Sequence, residues 1–579
     1  MTGAPTMTDG RAAAQVLEQI AAFLELQGEN PFRIRAFRTA AKAVNALPGP
    51  LAETIAGGAL ASVKGVGPGT MQILREIAHT GRSTMLDELR ERVPAGLVEM
   101  LSISGLGVTK IRQLHETLGI DSIPELEAAA QDGRLARLPR FGQKTAENIL
   151  KGIEFLRRAS AFRLFHHAEE EAEGLRAALA RLPGVREAVV AGEVRRRLEV
   201  VRNLVVVLVA DASPEEIFSR LGSLPGVREF SGRDERQATL RFAGSSTSQV
   251  IVTKPVNAGA VLVQATGSPA HVEALAAHAA SRGHSLHAAA LWRGSEFVPT
   301  PDEPAVYRAL GLAMIPPELR EGQGEVEAAA AGTLPALLEA TDLRGFLHCH
   351  TTYSDGTAPL AEMARAAREA GYAWMGVTDH SKSAAYAGGL SSDDLRRQAD
   401  EIDALNQGMK GFRVLKGVEA DILVDGALDY DDATLARLDF VIGSVHSRFG
   451  LGEREMTARI LRALDHPALT ILGHPTGRLL LSRDPYGLDL EAVFAKAAET
   501  GVALEINADP HRLDLDWRVV RRACAAGAMI SIGADAHSTG GIGNVRFGVG
   551  VARKGWLGRD DLLNTRDVDG FLAYARRHP

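Results

Sequence analysis

Residues 348–356 read HCHTTYSDG, so His348, His350 and Asp355 stand close together in the chain. Further side chains of the same metal-binding types follow later, most of them directly after an apolar, β-rich run: His380, Glu419, His446, His474, Asp535 and His537. The carboxyl ends of successive parallel strands converge on one mouth of a barrel, where such folds place their chemistry. We therefore expect these side chains to meet at one mouth.

The runs that precede these residues alternate with helical stretches. They cover residues 414–418, 440–444, 469–473, 502–506 and 530–533. Alternating strands and helices are typical of a βα-repeat barrel or of a doubly wound sheet. We favour the barrel, and predict a distorted TIM-like α/β barrel for residues 343–579.

The chemistry of these nine side chains suits metal binding. Imidazole with carboxylate is a donor set for zinc, manganese or iron, and nine such groups are enough to hold three ions with one carboxylate shared. A single histidine or aspartate at a strand end is more often an ordinary hydrogen-bonding residue, whereas nine in one pattern are not plausibly accidental. The sequence predicts a centre of three divalent ions, manganese or zinc.

This pattern is similar to the polymerase and histidinol phosphatase (PHP) domain, and all nine ligand positions of that family are filled here. The resemblance implies one ion at His348, His350, Glu419 and Asp535, a second at Glu419, His446 and His474, and a third at Asp355, His380 and His537. It also implies that the catalytic residues are Glu419, Asp535, His348 and His350. Closely spaced divalent ions activate a water and neutralise a leaving oxygen, so the implied reaction is phosphoester hydrolysis.

Other polar residues near the ligands could support this centre. Asp379 and Asp421 lie beside ligands and could orient the histidines or simply close strand ends, and Asp425 is a weaker candidate. Arg478 and Arg512 fall in expected mouth loops, where they could contact phosphate groups or be ordinary surface residues.

The N-terminal region, residues 11–160, has the pattern of short amphipathic helices and is predicted to be all helical. It contains one theme three times: VKGVGPGT at 63–70, ISGLGVTK at 103–110 and LPRFGQKT at 138–145. A glycine turn that opens a helix lets backbone N–H groups and the positive helix end meet a phosphate. Such contacts position DNA without reading its sequence.

These turns resemble the helix-hairpin-helix motifs of DNA repair proteins, although Arg140 replaces the usual glycine in the third, which is either adapted or weakened. The DNA-binding candidates are Gly65, Gly67, Gly69, Gly105, Gly107, Lys110, Gly142 and Lys144. A single copy would more often be a plain helix–helix turn, but three copies favour DNA. Magnesium and a monovalent cation are candidate ions bound at these hairpins.

The middle region alternates β-rich and helical runs and is predicted to be α+β. AGEVRR at 191–196 followed by NLV at 203–205 resembles the nucleotidyltransferase-like palm of family X DNA polymerases, with further matches at TGS 266–268 and IPPELRE 315–321. That family carries Asp-x-Asp and a third Asp for two metal ions. Here Asn203, Val205 and Gln249 occupy those positions, and Glu193 replaces a serine. The resemblance therefore implies the fold and a degenerate polymerase site.

Other charged residues of the palm leave alternatives open. Glu193, Glu199 or Asp211 could supply substitute carboxylates. Arg195 and Arg196 could contact DNA phosphates or form a solvated basic strand end.

Composition sets limits on the partners. The chain has 579 residues and a net charge of -7, so it lacks the bulk positive charge of many nucleic-acid-binding proteins, and DNA contacts must be local. Two cysteines, Cys349 and Cys524, exclude a cysteine zinc finger. The N-terminus has no pattern of a leader and no apolar run could span a membrane, so we expect a cytoplasmic protein without membrane contacts.

The predicted domains are a helical DNA-binding domain (1–90), a fingers-like domain with two hairpins (91–160), palm and thumb (161–328), a linker (329–342) and the PHP domain (343–579). The resemblances imply a DNA repair protein whose PHP domain is a metal-dependent 3'-5' exonuclease, or a processor of abasic sites or 3' ends. The expected partner is non-sequence-specific DNA at ends, gaps or primer-templates. The alternatives are a gap-filling polymerase that uses manganese, a small-molecule phosphatase, and a non-catalytic DNA-end scaffold.

Overall fold

The structure is a computed structural model, and it describes residues 10–46, 51–58, 60, 66–103, 105–224, 226–242, 247–287 and 289–576. The chain divides into two compact units, Met1–Ala161 and Phe162–Pro579. Among the described residues, no helix combines the length and the apolar character needed to cross a lipid bilayer.

The first unit is helical over its described residues, as predicted, and its apolar faces form one core. Side-chain caps start several of its helices: Ser83 accepts the Leu86 N–H, and Ser122 accepts the Glu125 N–H. The helices are α1 (Gly10–Leu26), α2 (Pro31–Ala46), α3 (Leu51–Ala56), α4 (Pro68–Thr80), α5 (Thr84–Arg92), α6 (Ala95–Met100), α7 (Val108–Leu118), α8 (Ile123–Gln131) and α9 (Gln143–Ala159).

The first part of the second unit is the predicted α+β region. Its main sheet has the strand order β2-β4-β7-β6-β5, and a three-stranded sheet β10-β9-β8 follows. The strands are β1 (Arg163–Leu164), β2 (Val185–Ala191), β3 (Val200–Val201), β4 (Leu204–Ala210), β5 (Val227–Asp234), β6 (Gln237–Phe242), β7 (Thr247–Thr253), β8 (His284–His287), β9 (Ala290–Arg293) and β10 (Glu296–Val298). The helices are α10 (Phe165–Leu179), α11 (Gly192–Arg195), α12 (Pro214–Leu221), α13 (Ala258–Thr266), α14 (Pro269–Ser281), α15 (Glu303–Ala309) and α16 (Glu325–Ala331).

The last part is the predicted barrel, with an all-parallel sheet in the order β13-β12-β11-β18-β17-β16-β15-β14. The strands are β11 (Gly345–Cys349), β12 (Trp374–Val377), β13 (Arg413–Lys416), β14 (Glu419–Asp421), β15 (Ile442–Ser444), β16 (Ile471–Leu472), β17 (Ala503–Asn507) and β18 (Ile530–Ala536). The helices are α17 (Leu360–Glu369), α18 (Ser392–Gly408), α19 (Asp432–Leu435), α20 (Glu453–Leu464), α21 (Leu490–Thr500), α22 (Trp517–Ala525), α23 (Val545–Lys554) and α24 (Val568–Ala575).

The sheet closes on itself because its two edge strands are successive pieces of one stretch of chain. The run predicted at 414–418 breaks at Gly417, where the ring of Phe440 packs so closely that a Cβ would lie 2.4 Å from it. Beyond the break the chain resumes as β14, and a bridge between His380 and Glu419 joins the loop after β12 to β14. Because of this break, the residues of β14 lie at the barrel mouth, beside the loop that follows β12.

The palm region packs directly on the barrel inside the second unit. The buried carboxylate of Glu199 accepts the Trp517 Nε1–H at 3.0 Å and an Arg518 N–H at 2.5 Å. From the barrel, the buried Lys554 donates to the carbonyl of Arg196 at 3.1 Å and to the carboxylate of Glu321. The segment predicted as a linker lies against the barrel as well, since the Leu338 N–H donates to the Leu557 carbonyl at 2.9 Å.

Candidate metal centre

His348 and His350 are brought together by an irregular end of β11. The pairing of β11 with β18 shifts between Leu347 and Cys349, and His348 has a φ of 59°. The two imidazole rings lie 5.4 Å apart between centroids, and both are fully buried. His474 and Asp535 also have positive φ values, 26° and 51°. Non-glycine residues adopt this conformation rarely, and such strain concentrates at functional sites.

Glu419 lies at the centre of the cluster. One carboxylate oxygen, Oε1, is 3.0 Å from His474 Nε2, 3.2 Å from His446 Nε2 and 3.4 Å from His348 Nε2. The other, Oε2, is 2.9 Å from His380 Nδ1. One buried carboxylate therefore contacts histidines at or after the ends of four separate strands, which suits a bridging ligand.

Two aspartates complete the cluster. Asp535 Oδ1 lies 3.2 Å from His350 Nε2, and Asp355 Oδ1 lies 3.2 Å from His537 Nε2 and 3.7 Å from His380 Nε2. The ligand atoms form three groups, each within 4.8 Å: His350 with Asp355, His380 and His537; His348 with His350 and Asp535; His380 with Glu419 and His446. His380 and His350 are shared between groups, unlike in the assignment that the family resemblance implies.

The donor set fits divalent ions. His348 Nε2, His350 Nε2 and Glu419 Oε2 are buried and find no hydrogen-bond partner among the described residues. Burying such atoms without a partner is unfavourable, and a cation bound between imidazole nitrogens and carboxylate oxygens would remove that penalty.

The charges inside the cluster are strongly coupled. Burial would raise the pKa of Glu419, but the charges of His446, His348 and His380 outweigh it and hold the pKa well below its usual range. Burial likewise opposes ionisation of Asp535, whose pKa is nevertheless held low, chiefly by His348. Both carboxylates are therefore ionised at neutral pH, as metal ligands must be.

Carboxylates outside the ligand set hold the histidines. Asp421 Oδ1 contacts His446 Nδ1, in agreement with the predicted orienting role. Asp379 instead accepts hydrogen bonds from Thr351, Ser354 and Gln398, so it orders the loop after β11 rather than a histidine. Asp425 accepts the Ala427 N–H within its own turn.

Sequence reasoning missed Glu505. Its Oε1 accepts the His348 Nδ1–H at 2.5 Å, and its Oε2 accepts the backbone N–H of His474 at 2.7 Å. Asn507, two residues later, donates to Asp535 Oδ2 at 3.1 Å. The signal was a lone acidic residue inside the buried apolar run of β17.

The two predicted phosphate-contacting arginines of the mouth differ in environment. Arg478 is buried, and its guanidinium donates to the carbonyls of Arg512 and Leu513 and to Asp516. Arg512 lies beside the cluster, with Nε 3.5 Å from Asp535 Oδ2. Arg512 is therefore the better placed of the two to meet a ligand of the centre.

The positions predicted to form a degenerate palm site also lie close together. Val205 pairs directly with Gln249 across β4 and β7, and Val205 is buried in an apolar cluster. Gln249 donates from Nε2 to Gln237 Oε1 at 2.5 Å. Glu193 accepts the backbone N–H groups of Arg202 and Asn203 at 2.6 and 3.1 Å. The carboxylate of Glu193 is thus engaged in hydrogen bonds with the backbone.

The substitute carboxylates do not gather at one place. Glu199 faces the barrel, and Asp211 bonds Arg186 at 2.6 Å. The predicted phosphate contacts Arg195 and Arg196 pair with acidic residues of the following region: Arg195 with Glu303 at 2.6 Å and Arg196 with Glu321 at 2.9 Å.

The hairpins share one backbone geometry. Gly67, Gly107 and Gly142 are the N-caps of α4, α7 and α9, with φ between -79° and -95° and ψ between 166° and 176°. No described side chain caps these three helices, and a Cβ built at any of the three glycines would meet no described atom within 4 Å beyond its chain neighbours. In α7 and α9 the N–H groups of Lys110 and Thr145 bond to the N-cap carbonyls at 2.9 Å, so the N–H groups before them are the ones placed to meet a phosphate.

Arg140 keeps the turn that glycine makes elsewhere. Its φ is 71°, against 80° for Gly105 at the matching position, so the third turn is adapted. Lys110 donates to the Gly105 carbonyl at 3.0 Å, whereas Lys144 is exposed. Gly69 is exposed in the first turn of α4, and Gly65 lies outside the described residues.

Comparison with known proteins decides the family. The DNA polymerase/3'-5' exonuclease PolX of Bacillus subtilis (strain 168) is 35% identical over 575 residues, which cover 97% of this chain and 99% of that protein. This chain belongs to the PHP-containing family X DNA polymerases. Four domain models match separate parts of this family X chain. They are a helix-hairpin-helix domain at 10–83, a SAM-like helix-hairpin-helix tandem at 97–154, a DNA polymerase beta thumb at 261–321 and a PHP domain at 347–508.

Other relatives of this family X protein match a smaller share of the chain. A probable phosphatase of Thermoanaerobacter sp. (strain X514) is 28% identical over 240 residues, 40% of this chain and 93% of that protein. A probable phosphatase of Syntrophotalea carbinolica is 25% identical over 228 residues, 38% of this chain and 90% of that protein. These relatives match about two fifths of this chain and most of their own length.

Proposed function

We propose that this family X protein is a metal-dependent DNA phosphodiesterase that removes nucleotides in the 3' to 5' direction. The observation that carries the proposal is the buried cluster around Glu419, whose unpartnered nitrogen and oxygen atoms suit several divalent ions. Three helices of the same chain begin without a side-chain cap, so their N-termini can bind DNA phosphates. A small-molecule enzyme does not need such contacts. The Bacillus relative is named as a 3'-5' exonuclease.

The nine predicted ligands would hold three ions, manganese or zinc, as the resemblance implies. Such ions lower the pKa of a water and neutralise a departing oxygen in phosphodiester hydrolysis. The chain's own residues fix the geometry: Glu419 joins histidines from several loops, and Asp421 sets the imidazole of His446. Arg512, beside Asp535, is placed to contact a substrate phosphate.

The proposed cellular setting is DNA repair in the cytoplasm. The expected substrates are ends, gaps and primer-templates, with abasic or blocked 3' ends as further candidates. Because hairpin contacts reach phosphates through backbone N–H groups, we expect no sequence preference.

We further propose that the palm does not polymerise. Two-metal polymerisation needs carboxylates, but Val205 is apolar and buried, Gln249 bonds Gln237, and Glu193 is occupied by two backbone N–H groups. Polymerase activity stays the second candidate, since the Bacillus relative is named as a polymerase as well.

A primer-template with a 5' label on the primer, incubated with manganese, tests these proposals together. We expect stepwise shortening of the primer with or without the four nucleotides, and no shortening by His348→Ala. His466→Ala is the matched control, because His466 lies outside the ligand groups and its ring contacts Asp432 and the Ala468 N–H. Primer lengthening would establish the polymerase instead. Hydrolysis of p-nitrophenyl phosphate without any action on DNA would establish the phosphatase.

A further inference from the structure

Three large apolar side chains are exposed among the described residues of the barrel, and all three lie in the loops that follow β12 and β14. Tyr386 is 72% exposed in the loop after β12, which also carries His380. Leu423 and Val424 are 37% and 54% exposed in the loop after β14, the strand of Glu419. Exposed apolar residues scattered singly need no explanation, but their restriction to the mouth of the centre indicates contact with a ligand.

The backbone that carries Tyr386 is firmly anchored. Ala384, which precedes its short helical turn, and Ala387, the last residue of the turn, are buried, and the Ala387 N–H donates to the Ala384 carbonyl at 2.9 Å. The end of the loop returns to the metal ligand, because the Leu390 N–H donates to the His380 carbonyl at 2.8 Å. These backbone bonds hold the turn that carries Tyr386 next to His380.

The ring lies directly beside the cluster. Its centroid is 6.2 Å from that of the His380 imidazole, with an angle of 56° between the planes. Because Tyr386 is 72% exposed, its ring is open to a ligand beside His380.

We propose that Tyr386 is the stacking platform for the nucleobase next to the scissile phosphate. This inference rests on the proposed exonuclease function. A phosphate held at His380 would bring its own nucleoside to the adjacent ring, and an unpaired base exposes the face that stacking requires. Stacking of a base on an aromatic ring does not depend on the base sequence, and neither do the phosphate contacts of the hairpins.

The test compares two single-stranded oligonucleotides that differ only in the 3'-terminal residue, a normal nucleotide or an abasic analogue. In wild type we expect kcat/KM to be about 5- to 100-fold higher for the terminal base. Tyr386→Ala should abolish this ratio, chiefly by slowing cleavage of the end that carries the base. Tyr386→Phe should preserve the ratio, because it keeps the ring.

A second readout does not depend on hydrolysis. A 3'-terminal 2-aminopurine should lose fluorescence on binding to wild type and to Tyr386→Phe, but not on binding to Tyr386→Ala. An equal loss of activity on both oligonucleotides in Tyr386→Ala would overturn the proposal, because it would mean that the ring only shapes the centre. Unchanged quenching in Tyr386→Ala would overturn it too. Failure of wild type to cleave either oligonucleotide would instead contradict the exonuclease function itself.

Discussion

Glu505 Oε1 accepts the Nδ1–H of His348 at 2.5 Å, which leaves Nε2 of the same imidazole facing Glu419 and Asp535. A carboxylate behind a metal-binding histidine fixes the tautomer and the ring orientation. Because Glu505 also accepts the His474 N–H, one buried side chain positions two predicted ligands.

We expect Glu505→Gln to weaken binding of manganese by about 10- to 100-fold, because an amide is a weaker partner for the imidazole N–H than a carboxylate. Isothermal titration calorimetry measures the affinity. The matched control is Glu499→Gln, an exposed glutamate of α21 that pairs with Lys496. Equal affinities for wild type and Glu505→Gln would show that Glu505 only fills space.

Divalent ions should stabilise the protein. Binding to the folded state alone adds about 2.7 kcal/mol at an ion concentration 100 times the dissociation constant. Calorimetric scans should therefore show a higher Tm with manganese and a lower one with a chelator. In His348→Ala the rise in Tm with manganese should be smaller, since the variant lacks one donor. A wild-type Tm that does not change with manganese would contradict the site.

Lys144 offers a test of the hairpins, because it is exposed in the first turn of α9. Lys144→Ala should weaken DNA binding about equally for all sequences and reduce the slope of log K against log salt by about 1. Fluorescence anisotropy at several salt concentrations measures both quantities. Lys151→Ala, at an exposed position later in the same helix, should leave the slope unchanged.

Glu303 carries a pH-dependent part of the stability. Burial would raise its pKa, but Arg320 and Arg195 outweigh burial and lower the pKa below its usual value. A carboxyl with a lowered pKa in the folded state stabilises fully above its unfolded pKa of about 4.3, and this contribution disappears as the pH falls through the folded pKa. Glu303→Gln should therefore cost about 3 kcal/mol or more at pH 7.

Urea unfolding of wild type and Glu303→Gln at pH 7 and near pH 3 measures that difference. We expect the gap between the two proteins to shrink at the lower pH. A gap independent of pH would mean that packing, not ionisation, underlies the effect. Glu296→Gln, at an exposed position of β10, is the control.

The sequence by itself determined the order of the modules, the barrel and its parallel strands, because apolar runs, glycine turns and strand-end ligands are local patterns with a fixed period. It could not show the break at Gly417, since that depends on the Phe440 ring arriving from another strand. The partners of Arg195 and Arg196, Glu303 and Glu321, lie over one hundred residues away along the chain. The roles inferred for Glu505 and Tyr386 depend on tertiary contacts, because folding places Glu505 against His348 and Tyr386 against His380. Contacts between distant segments follow from packing, which no local period encodes.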